Sequence, residues 1–484
     1  MLIRNARAWP WAAGGLVGDV RIANGRVAEC GPELRAIGGE AEIDADGAAL
    51  LPGLHDHHVH LRALAAAQAS VRVGPEEAGS AAAMMVRLRE ADAAASPGAW
   101  LRCVGYHEAV AGPLDRWALD RLTGNPGRPV RVQHRTGALW VVNSAAAGLL
   151  GLDDGRADDL AGVERDADGR ATGRLWRLDR WLADRVPPRP AGLTEGLATV
   201  SARAAALGVV GFTDATPGAT GLDVGGLAAA VADGTIAQRV HCMSAASVTS
   251  AAADDSAASA AGATGGRFSL GPVKIMLDDE SLPGLDELAG RMREAHAVGR
   301  PVAVHCVTRV QLVLTLAALD GAGRMTGDRI EHGAVIAAEL TPALRGLTVV
   351  SQPHFVAERG EQYGRDVAPE DLPDLWRLRS LIDAGVAVAA GSDAPFGGAD
   401  PWAVMRAATS RPPDLGPGEA VGPETAIGLF LGSAAAPSVS REVAVGARAD
   451  LVLLRCAPRE AVHALGSDLV AATLIDGELV YPRG

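Results

Sequence analysis

Residues 49–60 read Ala49-Leu50-Leu51-Pro52-Gly53-Leu54-His55-Asp56-His57-His58-Val59-His60. An apolar run about as long as one strand leads into four of the chain's twelve histidines. In extended backbone, residues i and i+2 point to the same side, so His58 and His60 face one way and Val59 the other. Two imidazoles on one side of a strand end can converge on a metal ion. A lone His-x-His pair also fits a polar turn, so the rest of the chain decides between the two.

From residue 200 onward the chain settles into a rhythm. Short apolar runs at Val209–Asp214, Gln238–Met243, Pro272–Leu277, Pro301–His305, Arg329–His332, Leu347–Gln352 and Val386–Ala390 alternate with stretches of helical period. The clearest of those helical stretches are Leu285–Val298, Val310–Leu319 and Leu375–Ala384. This is the pattern of successive β/α units. With Ala49–Leu54 as a first strand it counts eight, which predicts an α/β chain built on a (β/α)8 TIM barrel. In such a barrel the C-terminal strand ends form one rim, where residues distant in sequence meet. Chain order puts His58 and His60 after the first strand and Lys274 on the fourth. His305 and His332 end the fifth and sixth, and Asp393 follows the eighth. Each alone has a plainer explanation, a core histidine or a helix cap. The six together, at separate strand ends, predict a metal centre.

The two ends of the chain share a different character. Met1–Ala8, Asp19–Ala23, Arg26–Cys30 and Ala41–Asp44 read as short strands, with Asn24-Gly25 as a hairpin turn; Ala449–Leu454 and Val470–Tyr481 follow suit around Asp476-Gly477. Neither end is large enough to make a core alone. Residues 1–50 and 440–484 are therefore expected to form one composite, β-sandwich-like small domain, with 51–439 as the barrel. Residues from about 62 to 195 break the rhythm and read as a long insertion after the first strand.

Composition narrows the function. The chain has 484 residues, 48% hydrophobic and 21% charged, the balance of a globular protein with a sizeable core. Its net charge of −13, from 58 acids against 45 bases, argues against a general nucleic-acid binder, which needs a basic face. No run approaches the roughly 18–20 apolar residues of a membrane span, and Met1–Arg7 carries no apolar export signal. The five cysteines are scattered without a Cys-x-x-Cys pair, which points to a reducing cytoplasm. A small-molecule substrate is expected, with neither nucleic acid nor membrane as partner; a homo-oligomer is compatible with the sequence. Among the 45 basic residues only Lys274 is lysine. A chain that uses arginine for generic positive charge keeps lysine where an amine is needed, because a guanidinium does not readily lose its proton.

Pro52–His60 resembles the PGxxDxHxH signature of the amidohydrolase superfamily. The similarity runs nearly end to end and is greatest to the branch containing N-substituted formamide deformylases, amidohydrolase family 3. Matching segments are Asn125–Val130 with Val142–Ser144, Val273–Asp278, Pro301–His305, Asp328–Gly333, Val350–Phe355, Ala390–Pro395 and Gly446–Leu453. The resemblance implies that His58 and His60 hold one divalent ion and His305 and His332 a second. It also implies that Lys274, carboxylated by carbon dioxide, bridges the two, and that Asp393 binds metal and shuttles protons. Two zinc ions are the default, with Mn, Fe or Co as alternatives. Such a centre lowers the pKa of water to about 7 and supports attack by hydroxide. The implied activity is metal-dependent hydrolysis of a non-peptide carbon–nitrogen bond in a small amide, formamide or cyclic amide. Asp56 could orient a ligating histidine or serve only as a turn residue.

Candidates for holding the substrate are His354, after the seventh strand, His241 on the third, and Trp140 in the insertion. The chain departs from the family pattern here. Thr136-Gly137-Ala138 stands where relatives carry a histidine before Asn-Ser, and Thr308-Arg309-Val310 replaces Gly-Asp-Arg after His305. An ester or lactone hydrolase on the same centre, a Schiff-base lyase on Lys274, and a noncatalytic scaffold are the alternatives.

Overall fold

The computed structural model describes residues 1–11, 17–187, 192–248 and 266–481. The chain divides into two compact units, Met1–Leu61 with Leu197–Gly484, and Arg62–Gly196.

The first unit contains a parallel sheet of eight strands: Leu54–Val59, Val209–Asp214, Arg239–Ser244, Phe268–Ile275, Val302–Cys306, Arg329–His332, Thr348–Ser351 and Ala387–Ala390. Each pairs in parallel with the next in this order. The eighth closes on the first through the residues that follow it. The Asp393 N–H donates to the His58 carbonyl at 2.7 Å, and the His60 N–H to the Ala394 carbonyl at 2.9 Å. Gly391 permits this approach, since a Cβ there would stand 2.5 Å from the His58 nitrogen. The result is a TIM barrel. Its strands are buried on both faces, which is why they read as unbroken apolar runs such as Val302-Ala303-Val304. The surrounding helices bury one stripe each. Arg309–Ala322 turns Leu312, Leu316 and Leu319 inward, and the Thr308 hydroxyl caps it by accepting from the Gln311 N–H.

Two expectations are corrected. The first barrel strand is Leu54–Val59, so the histidine motif is itself the strand and does not follow it. The apolar run Ala49–Pro52 belongs to another sheet, pairing with Leu2–Ala8 and Leu451–Leu454. Gly53 separates the two, and a Cβ at that position would lie 2.2 Å from Val210 Cγ1. The helix expected over Leu375–Ala384 is shortened to Arg379–Asp383. Leu375 bridges to Val335, and Trp376 adopts a left-handed φ of 50° that no helix accommodates.

The sheet that takes Ala49–Pro52 is assembled from both chain ends, in the order Glu478–Tyr481, Val470–Ile475, Leu451–Leu454, Ala49–Pro52, Leu2–Ala8, Val17–Ala23, Arg26–Gly31, with Glu42–Asp44 beside Leu2–Ala8. Its two hairpins turn at Asn24-Gly25 and Asp476-Gly477. All four residues have positive φ, as a tight two-residue turn requires. Ile3, Val20, Leu50, Leu453 and Leu474 fill its core.

The second unit has a sheet of its own, in the order Val163–Arg165, Ala171–Trp176, Leu139–Val142, Val130–His134, Leu101–Tyr106, Val71–Arg72. Helices Ala81–Ala94 and Arg116–Thr123 contribute Met84, Leu88 and Leu119 to its core.

Candidate metal centre at the ends of the barrel strands

His58 and His60 emerge on the same side of the first strand and meet Asp393. Its Oδ1 lies 3.5 Å from His58 Nε2 and 3.0 Å from His60 Nε2. The other two imidazoles join them: ring centroids are 4.7 Å apart for His58 and His332, and 4.6 Å for His305 and His332. Lys274, on the fourth strand, acts electrostatically on His58, His305 and His332 and is acted on by Asp393. The six residues marked from their strand-end positions are thus brought together.

Backbone conformation contributes to that convergence. His332 and Asp393 have φ of 70° and 51°, in the left-handed region. Arg329 and Glu331 share one side of the sixth strand, so simple alternation would send His332 the other way. The positive φ re-aims it. A bulky residue held there costs on the order of 1–3 kcal/mol, a kind of strain that clusters at functional sites.

The polar atoms fit a cation. His58 Nε2, Lys274 Nζ and His305 Nδ1 are buried and have no hydrogen-bond partner among the described residues, and Asp393 Oδ1 faces them with His60 Nε2 at 3.0 Å. A buried donor or acceptor left unpaired is costly, and three in one cluster require a shared partner. Burial pushes His58 down to about 3 and lowers His305, His332 and the Lys274 amine below their ordinary values. For Asp393, burial acts to raise the carboxyl, but the hydrogen bond from His60 and the neighbouring imidazoles hold it well below the usual range. The imidazoles of His58, His305 and His332 and the amine are biased toward neutral forms and the carboxyl toward its anion, the states in which such groups bind metals.

Four residues that the sequence reading did not select, or did not assign, orient this cluster. Glu331 Oε2 accepts from His58 Nδ1, which leaves the Nε2 lone pair facing inward. Gln352 Oε1 does the same for His332 Nδ1 at 2.7 Å. Arg329 balances Glu331 with a buried ion pair and also donates to the His57 carbonyl at 2.7 Å. Asp56 accepts from the Ser392 hydroxyl at 2.5 Å, the Ser392 N–H at 2.9 Å and the His58 N–H at 3.2 Å. It therefore ties the turn bearing Asp393 to the strand bearing His58. The sequence signal for Glu331 was present: Arg329-Ile330-Glu331 puts two charges on one side of a strand that is buried throughout. Glu331→Gln is expected to weaken metal binding about 10–100-fold. Competition with a chelator measures this, and unchanged affinity would mean that Glu331 serves only Arg329.

The substrate candidates fare differently. His354 is buried and its Nε2–H donates to the Ser392 carbonyl at 3.1 Å, so it braces the same turn and leaves Nδ1 as its unpaired atom. His241 is not brought to the rim. It lies early in the third strand, bonded to Ser269 Oγ at 2.8 Å, and lines a cavity under the strand starts with His55 and Arg239. Trp140 sits in the core of the second unit. Its indole N–H donates to Asp179 at 2.7 Å, and the guanidiniums of Arg102 and Arg131 lie 5.4 and 5.1 Å from its ring centroid.

A further group in the second unit, His107, Glu108 and His134, has ligand atoms close enough to surround an ion. Both Nδ1 atoms accept backbone N–H groups, from Ala109 and Thr136. Each Nε2 therefore carries the proton and is directed at the Glu108 carboxylate. Both Nδ1 atoms and His134 Nε2 are thus already engaged, with His107 Nε2 4.0 Å from the same carboxylate.

Comparisons with known proteins bear on the family and the fold. The sequence profile of the amidohydrolase family matches residues 41–481. The YtcJ protein of Bacillus subtilis (strain 168) is 26% identical over 91% of this chain and 90% of its own. The N-substituted formamide deformylase of Arthrobacter pascens is 25% identical over 96% and 95%. The crystal structure of a metal-dependent hydrolase from Pyrococcus horikoshii OT3 superimposes with a TM-score of 0.70 at 18% identity, covering 94% of this chain and 97% of that one. The chain belongs to the amidohydrolase family, as an enzyme acting on carbon–nitrogen bonds other than peptide bonds.

Proposed function

We propose that this chain hydrolyses an amide, formamide or cyclic amide in a small molecule, using two divalent ions held by His58, His60, Lys274, His305, His332 and Asp393. The observation that carries the reading is the set of three buried ligand atoms from different strands, His58 Nε2, Lys274 Nζ and His305 Nδ1, that have no partner among the described residues and face Asp393. The similarity to an N-substituted formamide deformylase along nearly the whole chain supports the substrate class. Zinc suits this nitrogen and oxygen donor set, with Mn, Fe and Co as alternatives.

Ions bound here would supply Lewis-acid polarisation of a carbonyl and a water acidic enough to react near neutral pH. The protein's own part is positional and protonic. Glu331 and Gln352 fix the tautomers of His58 and His332, so their Nε2 lone pairs stay directed at the centre. Lys274, as an anionic carbamate formed with carbon dioxide, would offset the positive charge of two ions. Asp393 would take the proton of the attacking water and return it to the leaving nitrogen. Phe396, with its ring 5.1 Å from that of His60, and Trp376, 6.5 Å from that of His332, would give the substrate an apolar flank.

All five cysteines are free, and among the described residues no helix is long and apolar enough to cross a membrane. Both features are in keeping with the cytoplasmic setting we propose. Elemental analysis of the purified protein is expected to find about two divalent ions per chain. A screen of N-formyl, N-acyl and cyclic amides is expected to find turnover that a chelator abolishes. A single ion per chain would overturn the binuclear reading, and turnover that survives metal removal would overturn the reading altogether.

A further inference from the structure

At the opposite ends of the strands, a cavity of about 470 Å³ opens beneath the starts of the first four, bounded on its other side by residues between 433 and 451. Its volume lies in the range of small-molecule sites, roughly 300–1,000 Å³. Four arginines, Arg239, Arg267, Arg441 and Arg448, line it against two carboxylates, Glu442 and Asp450, in a chain whose net charge is −13.

One of those carboxylates is already saturated. Asp450 accepts from Arg239 Nε at 2.7 Å, Arg239 Nη2 at 3.4 Å and the Asp476 N–H at 2.8 Å. Arg441 makes no hydrogen bond to a carboxylate among the described residues. Its Nε donates to the Leu431 carbonyl at 2.9 Å and its Nη2 to the Gly53 carbonyl, and Nη1 bonds to nothing among the described residues. Burial pushes this guanidinium down to about 10. Arg448 is exposed, and its side chain makes no hydrogen bond or ion pair among the described residues. The Arg441 guanidinium is hydrogen-bonded only to carbonyls, with the Asp450 carboxylate and the Arg239 guanidinium acting on it from a distance, and a carboxylate that can take two N–H donors would stabilise it further. Ala434, Ala435 and Ala447, which are partly or fully exposed, give the cavity open apolar surface.

We propose that this cavity binds a small carboxylate with an apolar body, the charged group on Arg441 and Arg448 and the hydrocarbon against Ala434, Ala435 and Ala447. It is a site separate from the metal centre, and it stands whether or not the proposed reaction does.

Titration of the metal-loaded protein with acetate and hexanoate tests the two halves of the site. Hexanoate is expected to bind about tenfold or more tighter than acetate, since its extra methylenes have an apolar wall to cover. Arg448→Ala is expected to weaken hexanoate at least about fivefold with the melting temperature unchanged, because that side chain holds nothing in place. Arg441→Lys, which keeps the charge and loses the fork, is the second variant. Crystals soaked in 4-bromobutanoate are expected to show bromine in the cavity by anomalous scattering. Bromine at the metal centre alone, no saturable binding, or hexanoate affinity unchanged in both variants would overturn the proposal.

Discussion

Lys274→Arg is expected to lower kcat/KM by at least about a thousandfold, equivalent to about 4 kcal/mol of transition-state stabilisation. The residue lies on the fourth strand among His58, His305 and His332, with its amine buried and unpaired and its basicity lowered by desolvation. That state is the one carbamate formation needs. The neutral nitrogen attacks the carbon of carbon dioxide, a C–N bond forms as one C=O π bond opens onto oxygen, one N–H proton leaves, and a neutral amine becomes a carbamate anion that would offset the charge of two metal ions. Arginine keeps the positive charge but has no free lone pair at any working pH. The variant is therefore expected to lose metal as well as turnover, and elemental analysis would show it. Because a longer side chain in a buried position can disturb packing, wild-type protein provides the second measurement. Removing metal and carbon dioxide together and then restoring metal should recover activity only when bicarbonate is supplied. Normal turnover in Lys274→Arg rejects the bridge. Borohydride trapping of a substrate adduct on Lys274 would replace it with Schiff-base chemistry.

The parts of this arrangement that could be read from sequence share a physical cause. Strands of a closed parallel sheet are buried on both faces, so Val209–Asp214 and Arg329–His332 stand out as short runs with the observed boundaries. Metal-type donors at the ends of such runs are conspicuous because nothing in packing calls for them. The first strand was misplaced for the converse reason. Its sequence, Leu-His-Asp-His-His-Val, is too polar to register as a buried strand, whereas the apolar Ala49–Pro52 beside it registers well and belongs to a different sheet. Hydropathy cannot separate two strands divided by one glycine. Gln352 and Ser392 escaped because their role exists only across strands, through His332 and Asp56. His241 illustrates the remaining gap. A histidine near the start of a barrel strand and one at its end look alike in sequence, yet only the end belongs to the rim.

Asp393→Asn is expected to reduce kcat about 10²–10⁴-fold while leaving most of the metal in place. Asparagine preserves the shape of the side chain and tolerates the left-handed φ of 51°, so the turn closed by the Asp393 N–H on the His58 carbonyl should survive. What it removes is the proton acceptor. In the wild type, the carboxyl is held below its usual range, so activity should persist well into acid and fall only as the pH drops through that depressed value. The variant should show low activity without that acidic limb. Asp56→Asn offers the contrast that separates proton transfer from positioning. Asp56 acts through Ser392 and the His58 amide, so its replacement should lower the melting temperature and the metal content and keep the acidic limb in whatever turnover remains. If the two variants behaved alike, or if Asp393→Asn kept the wild-type pH profile, Asp393 would be a ligand and a structural tie and the proton would have to move through another group.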